Sequence, residues 1–426
     1  MAVHPRTSQI QDPDLPAVAT LLAPLPPSPI RVAVAAAGGE VADFETTAVT
    51  WWPGSRITVT YRVSIEGGEL AGSHDFVATA GRVPDGALVL DGESGRVGVW
   101  RVPHDPVLPG LSAALDPART GRLLADLGVD GPRVTPSLRA YRPGRRAVVS
   151  VGGRRRDIYL KVLSSARRVR TLHGQHLHLA DALPVPASLG YSADLGLIAL
   201  QSMAGTTLRH ALEDTTAQLP APGAITTLMS RLPAPSGDRV AQSPIERLPA
   251  LSKLLAAIVP DLTGRITALV EAIGEDSEPP TVPAHGDFYE AQIMVGHGRV
   301  VGLLDVDTYG WGRPGDDPAT MLGHLFLWQQ LSRRPERVRE FTARLLEVWD
   351  DIYDPADLRR RTAAVLLTLA PGAFRVQTAD WPSETIARIG MAERWLDSAL
   401  RVDEKGLTSV SGRSHVGSAK SHSFGA

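Results

Sequence analysis

His285-Gly286-Asp287-Phe288-Tyr289-Glu290-Ala291-Gln292, followed by Val300-Val301-Gly302-Leu303-Leu304-Asp305-Val306-Asp307, is the stretch from which the fold and chemistry of this chain can be read. A short polar loop carries an acid, Asp287, and then an amide, Gln292. An apolar strand follows and ends in a second acid, Asp305. A hairpin can bring the loop amide and the strand-end carboxylate to one cation. Mg²⁺ takes oxygen ligands and keeps several waters, so one carboxylate and one amide carbonyl are a sufficient protein share. Phosphoryl transfer needs an oriented hydroxyl and a hard cation on the phosphate oxygens, with little covalent help. On this reading Asp287 takes the proton from an acceptor hydroxyl, while Gln292 and Asp305 hold Mg²⁺ on a nucleotide. The plain alternative is a turn capped by Asp287, which the tripeptide alone does not exclude. The second acid after a buried strand, and a lysine far upstream, weigh against it.

The His285-Gly286-Asp287 tripeptide with Asp305 resembles the aminoglycoside phosphotransferase-like branch of the protein-kinase fold. That branch has Asn where this chain has Gln292. Gln keeps the carbonyl ligand and adds a methylene, which puts the usual metal geometry in question. The Phe288-Tyr289-Glu290-Ala291-Gln292 variant resembles actinobacterial glucosamine kinases, relatives of maltokinases. The resemblance implies an α+β, bilobal protein-kinase-like fold, with a β-rich N-lobe, a helical C-lobe and an N-terminal β-rich cap. It also implies ATP-dependent, Mg²⁺-dependent phosphorylation of a sugar hydroxyl, with glucosamine the leading acceptor. An aminoglycoside or maltose kinase is the alternative within enzymes. A catalytically weak, nucleotide-binding pseudokinase is the alternative of another class.

Upstream, Ala147-Val148-Val149-Ser150-Val151 and Ile158-Tyr159-Leu160-Lys161-Val162-Leu163 read as strands, with a Gly152-Gly153 turn and Arg154 to Arg156 between them. A lone lysine among apolar strand residues needs a reason. An exposed edge position is one; the place of Lys161, two hairpins in and before a helix, resembles the kinase lysine that contacts the α- and β-phosphates. The Pro143-Gly144-Arg145-Arg146 turn would then lie over the phosphates. The helix expected over residues 164–179 carries Arg167, Arg168, Arg170 and three histidines but no acid to pair with Lys161. Either Asp181 substitutes, or the pair is absent until nucleotide binds. Ile198 to Thr206 resembles the linker between kinase lobes, so Gln201, Ser202 and Met203 are candidates, by position, for backbone contacts to adenine.

The turn has an echo. Trp51-Trp52-Pro53-Gly54-Ser55-Arg56 and Tyr141-Arg142-Pro143-Gly144-Arg145-Arg146 are both aromatic-X-Pro-Gly-X-Arg turns leading into a β-branched strand. Pro-Gly suits a type II turn wherever strands reverse, so two similar hairpins are the favoured account over a duplication. The first copy would sit in a non-catalytic cap packed on the nucleotide lobe. Residues 15–23 suggest a short helix ended by prolines, residues 30–102 have β texture, and residues 103–131 suggest two short helices broken at Asp116-Pro117.

Downstream the spacing is helical: a pair over 251–273 interrupted at Pro260, then 319–331, 336–352, 354–369 and 382–401. Asp316 or Asp317 is expected to cap the helix that follows the metal acid. Gln377, Asp380, Trp381 and Glu384 could grip an amino sugar, the ring stacking on the sugar face and the carboxylates meeting ammonium and hydroxyls. A helix cap at Asp380 with a packed Trp381 explains the same residues, and both can hold at once. With Asp287 and Glu290 they complete the candidate acceptor contacts.

Composition bounds the rest. Forty-four basic against 46 acidic residues leave a net charge of −2, which gives no reason to expect a nucleic-acid partner. No cysteine is present, which excludes disulfides and thiol catalysis. No apolar run suggests a signal peptide or a membrane span, so the expectation is a cytoplasmic monomer or homodimer. The expected divisions are 1–130 for the cap and bridging helices, 131–205 for the nucleotide lobe, 206–401 for the helical lobe and 402–426 for a disordered tail.

Overall fold

The computed structural model describes residues 6–129, 135–152, 157–276 and 278–413, the last twelve as backbone only. The expected arginines 154–156, Gly153 and tail residues 414–426 lie outside the described residues. The chain opens with α1 (Ala17–Leu21) and α2 (Ser28–Ala35), then β1 (Glu40–Trp52), β2 (Arg56–Glu66), β3 (Gly72–Ala80), β4 (Leu88–Gly92) and β5 (Gly95–Arg101). The bridge is α3 (Gly110–Leu115) and α4 (Pro117–Asp126), and the Asp116 carboxylate caps α4 through the Arg119 N–H, as the Asp-Pro break suggested. The next group is β6 (Pro136–Arg142), β7 (Arg146–Val151), β8 (Ile158–Leu163), α5 (Ala166–Ala180), β9 (Ser188–Ser192) and β10 (Leu197–Gln201). Then come β11 (Thr206–Thr207), α6 (Leu208–Glu213), α7 (Pro222–Ser230), α8 (Leu248–Ile258) and α9 (Thr263–Ile273). The site region holds β12 (Val282–Ala284), β13 (Ile293–Gly296), β14 (Arg299–Leu303) and β15 (Gly310–Gly312). The chain closes with α10 (Asp316–Leu331), α11 (Pro335–Asp350), α12 (Pro355–Leu369), α13 (Gly372–Arg375) and α14 (Trp381–Arg413).

This is an α+β, bilobal protein-kinase-like fold carrying an additional β-rich cap. Three local expectations change. Residues 28–35 are helical: Pro29 falls in the first turn, where a missing N–H costs nothing, and Ile30 and Val34, four residues apart, are buried on one face. The last helix continues past Arg401 to Arg413. Asp316 and Asp317 do not cap α10, whose first turn has no side-chain cap. Their carboxylates bond instead to Arg361 and to the His285 loop.

The cap sheet runs β1-β2-β3-β5-β4 and the second sheet runs β6-β7-β8-β10-β9, both antiparallel throughout. The two orders are the same once numbered from the first strand of each. The echo seen in the turns therefore extends to whole-sheet topology, which favours duplication over two independent hairpins. The cap does not pack on the second sheet alone. Its buried Val59, Tyr61 and Val97 belong to one apolar cluster with Leu255 and Ile258 of α8, Leu366 of α12, Phe374 of α13 and Trp381 of α14. Burial of this kind is the main favourable term in folding, so the cap is cemented to the helical lobe.

Candidate active site

The β13–β14 hairpin positions the site. Its register pairs Ile293 with Leu303, and the Leu304 N–H donates to the Gln292 carbonyl at 2.7 Å. Gln292 and Asp305 are thus held at the same end of the hairpin. Asp305 takes a left-handed backbone (φ 52°, ψ 51°), unusual for a residue with a side chain. The chain turns there, and Asp307 comes round to the side of the cleft where Asp305 lies.

Lys161, on β8 and only 7% exposed, reaches across from the other lobe. Its Nζ lies 2.6 Å from Asp305 Oδ1 and 2.5 Å from Asp307 Oδ1. Arg146, just beyond the Pro143-Gly144 turn, donates through Nη1 to Asp305 Oδ2 at 3.3 Å and Asp307 Oδ2 at 3.5 Å. Two cations thus face two carboxylates. Burial alone would raise the Asp305 carboxyl, but Lys161 and Arg146 hold it well below the usual carboxylate range. Asp181 is exposed and is not the lysine's partner. The sequence reading missed Asp307 as that partner. Its signal was present as a second acid two residues after Asp305.

The His285–Asp287 loop is fixed from beneath. Asp317, 5% exposed, accepts the His285 and Gly286 N–H groups at 2.6 and 2.9 Å. His285 Nε2 lies 2.8 Å from the Leu304 carbonyl and Nδ1 lies 3.3 Å from the Asp287 N–H. Nε2 must therefore carry the proton, and Nδ1 accepts. Gly286 has φ 78°, and a Cβ there would sit 2.9 Å from the Thr308 carbonyl oxygen. Only glycine fits. The Asp287 side chain itself has no hydrogen-bond or ion-pair partner among the described residues. Burial, with Asp305 nearby, pushes its carboxyl above the usual range. A half-buried carboxylate with free lone pairs and raised basicity can accept a proton.

The donors around the hairpin end are hard oxygens: the Asp305 and Asp307 carboxylates and the Gln292 amide, whose side chain makes no hydrogen bond among the described residues. No group of three acidic or histidine ligands forms among them. The set suits Mg²⁺, which needs few protein ligands and keeps its waters, better than zinc.

The other expected site residues have different surroundings. The Gln201 and Ser202 N–H groups donate to Ala187 O and Asp157 O, both at 2.9 Å. The Met203 N–H has no partner among the described residues, while its side chain packs against Gly302. Glu290 is fully buried, with Oε1 taking Arg209 Nε at 2.9 Å and Nη2 at 2.6 Å. It forms an internal ion pair and is closed to an acceptor, contrary to the expectation. Trp381 is 0% exposed, its ring edge-on to Phe374 and its Nε1–H donating to Thr7 Oγ1 at 2.9 Å. It offers no face to a sugar. The packed-tryptophan account is the one that holds. Gln377 bonds to Thr7 and to the Phe374 carbonyl, and Glu384 pairs with Arg388 at 2.9 Å. Asp380 is exposed at the start of α14, where its carbonyl accepts the Glu384 N–H.

A lysine on a five-stranded sheet that meets, across a cleft, acids on a hairpin of a helical lobe fits the protein-kinase-like class. Within that class the chain belongs to the phosphotransferase enzyme family, APH, whose model matches residues 138–363, more than half of its length. No curated protein matches it. Among solved structures it is similar to a macrolide 2′-phosphotransferase type I (16% identity, TM-score 0.43, 64% of this chain and 96% of that one). It is also similar to macrolide 2′-phosphotransferase MphH from Brachybacterium faecium (18%, 0.38, 63% and 97%). A third is APH(2″)-IIa in its streptomycin–ATP complex (13%, 0.44, 66% and 98%). Among the described residues no helix is long and apolar enough to cross a membrane.

Proposed function

We propose that the protein transfers the γ-phosphoryl group of ATP to a hydroxyl of a small sugar, with glucosamine the leading acceptor. The observation that supports this most is the convergence of Lys161, Asp305 and Asp307 beside the unpartnered carboxylate of Asp287. In this reading Lys161 and Arg146 orient the phosphates, and the Met203 N–H, without a partner among the described residues, is the candidate donor to adenine. Asp305 and Gln292 would hold Mg²⁺, which when bound neutralises charge on the β- and γ-phosphate oxygens. Asp287 accepts the proton of the attacking hydroxyl, and His285 and Asp317 keep its loop rigid. The acceptor preference rests on the Phe288 to Gln292 motif, since Glu290 and Trp381 are engaged internally. Asp380 remains a candidate acceptor contact, with Gln377 and Glu384 near it in the chain.

The test is ADP release with a panel of glucosamine, glucose, maltose, aminoglycosides and macrolides. Asp287→Asn should lower turnover at least about a hundredfold, the usual share of a general base, while ATP binding is kept. An active Asp287→Asn enzyme removes the assigned base. Nucleotide binding without release on any acceptor favours the pseudokinase reading, for which the Gln292 replacement is the motivating feature.

A further inference from the structure

The Pro143-Gly144 turn is held by a side chain that lies outside every recognised motif. Asp105, between β5 and α3, is 4% exposed. Its Oδ2 accepts the Gly144 N–H at 2.7 Å and the Tyr141 hydroxyl at 2.7 Å, and its Oδ1 accepts the Val107 N–H at 2.8 Å. Gly144 sits at φ 65°, and the Arg145 N–H closes the turn on the Arg142 carbonyl at 3.0 Å. One carboxylate thus fixes both flanks of the turn, and just past it Arg146 reaches Asp305 and Asp307.

The chain of bonds continues into the cap. Trp100, on cap strand β5, donates its Nε1–H to the Tyr141 hydroxyl at 3.0 Å. Tyr141 is held protonated by burial and by Asp105, so its single proton goes to the carboxylate and its oxygen is left to accept from Trp100. Trp100, Tyr141, Asp105 and Gly144 form one directed relay from the cap sheet to the turn.

The cap contains the same device without a cleft to serve. Asp12, 7% exposed and just ahead of α1, accepts the Gly54 N–H at 2.7 Å and Trp51 Nε1–H at 3.1 Å on Oδ2. Its Oδ1 takes the Asp14 N–H at 3.1 Å, two residues on, as Asp105 takes Val107. Gly54 has φ 71°. The two anchors match in chemistry, in turn and in place ahead of sheets of equal strand order. They differ in the arginine two residues past the glycine: Arg56 stacks on the Trp52 ring, whereas Arg146 enters the acid cluster.

We propose that Asp105 is a positioning residue for the phosphate-facing turn, and that Trp100, through Tyr141, makes nucleotide affinity depend on the cap. This rests on the proposed kinase activity, in which that turn covers the phosphates. An Asp105→Asn amide keeps an acceptor but loses the charge that three donors share. Each variant lacks one link, and Asp12 supplies a matched control that is purely structural.

The experiment is calorimetric titration with Mg²⁺·ADP on the full chain, beside ATP and acceptor KM, kcat and thermal melts. Asp105→Asn is expected to weaken Mg²⁺·ADP about tenfold and to raise the ATP KM similarly, with acceptor KM unmoved. Trp100→Phe, which loses one neutral hydrogen bond, should weaken nucleotide about threefold, and Tyr141→Phe, which loses the charge-assisted bond to Asp105 as well, about tenfold. Asp12→Asn should lower the melting temperature as Asp105→Asn does and leave nucleotide affinity alone. If Asp105→Asn folds poorly, Tyr141→Phe carries the test. Wild-type affinity in Tyr141→Phe and Trp100→Phe, or an equal loss in Asp12→Asn, overturns the proposal. Lys161→Met separates the two levels. If binding needs Lys161 but ignores the relay, only this inference fails; if wild type binds no Mg²⁺·ADP, or Lys161→Met binds as well, the kinase reading fails with it.

Discussion

Replacing Asp316 by Asn should stabilise this protein at neutral pH and leave its stability unchanged in acid. Asp316 lies in the first turn of α10, 6% exposed, with Oδ1 accepting from Arg361 Nη1 at 2.8 Å and Ser243 Oγ at 3.2 Å. Burial pushes its carboxyl up to about 6, even against the pull of Arg361. From an unfolded value near 4, a rise of about two units costs at most about 3 kcal/mol once the group is ionised in the fold. The folded pKa is the higher one. The stability carried by the protonated form is therefore fully present below about pH 4 and is lost as pH rises through about 6. Asn keeps both acceptor bonds and never ionises, and Arg361 retains Asp276 at 2.9 Å and Asp357 at 2.7 Å. Urea unfolding of both proteins at several pH values reads the difference, with equal m-values required. The gap should open from near zero at about pH 4 to as much as about 3 kcal/mol at pH 7 in favour of Asn. A gap that does not change with pH, or that favours Asp at pH 7, refutes the reasoning.

Two site residues and the buried Trp381 set three more expected outcomes. Lys161→Met leaves Asp305 and Asp307 with Arg146 alone and removes a charged phosphate donor; the ATP KM should rise at least about tenfold, measured by ADP release at saturating acceptor. Gln292→Ala should raise the Mg²⁺ concentration for half-maximal rate about tenfold, and an unchanged Mg²⁺ dependence would take Gln292 out of the ligand set. Trp381→Phe loses the hydrogen bond to Thr7 and should cost about 1 kcal/mol of stability with the acceptor KM unchanged. A raised acceptor KM in a protein of normal stability would return the ring to the sugar site.

What the chain disclosed in advance was what local order fixes. The Asp287–Gln292–Asp305 spacing, the Asp116-Pro117 break and the Pro260 break are signals carried by neighbours in sequence, and the structure has elements at each. The misread elements depended on residues far apart. Trp381 looked like a platform because an aromatic with two acids at a helix start suits a sugar; its fate was decided by Thr7 and Phe374 and by a cap that closes over it. Glu290, in the turn before β13, carries no mark of its ion pair, because Arg209 lies far from it in the chain, on α6. The α2 helix was hidden by composition, since prolines that end one helix also start the next.

The lysine shows how a physical requirement could have repaired a failed pattern. A cation on a buried strand facing a cleft must be matched by carboxylate, because an unpaired buried charge costs several kcal/mol. Helix α5 carries three arginines, three histidines and a glutamine in the sequence and no acid. Two acids at the end of a hairpin, Asp305 and Asp307, were in view, and only one was needed for a metal. The other was the surplus charge that Lys161 required, and the structure has Nζ bridging both. Counting charges across the cleft, rather than searching helix α5, identifies the partner. It also explains why Arg146 must come with the turn: two carboxylates brought this close, at 19% and 17% side-chain exposure, need a second cation. That cation arrives only if the Pro143-Gly144 turn is held where Asp105 holds it.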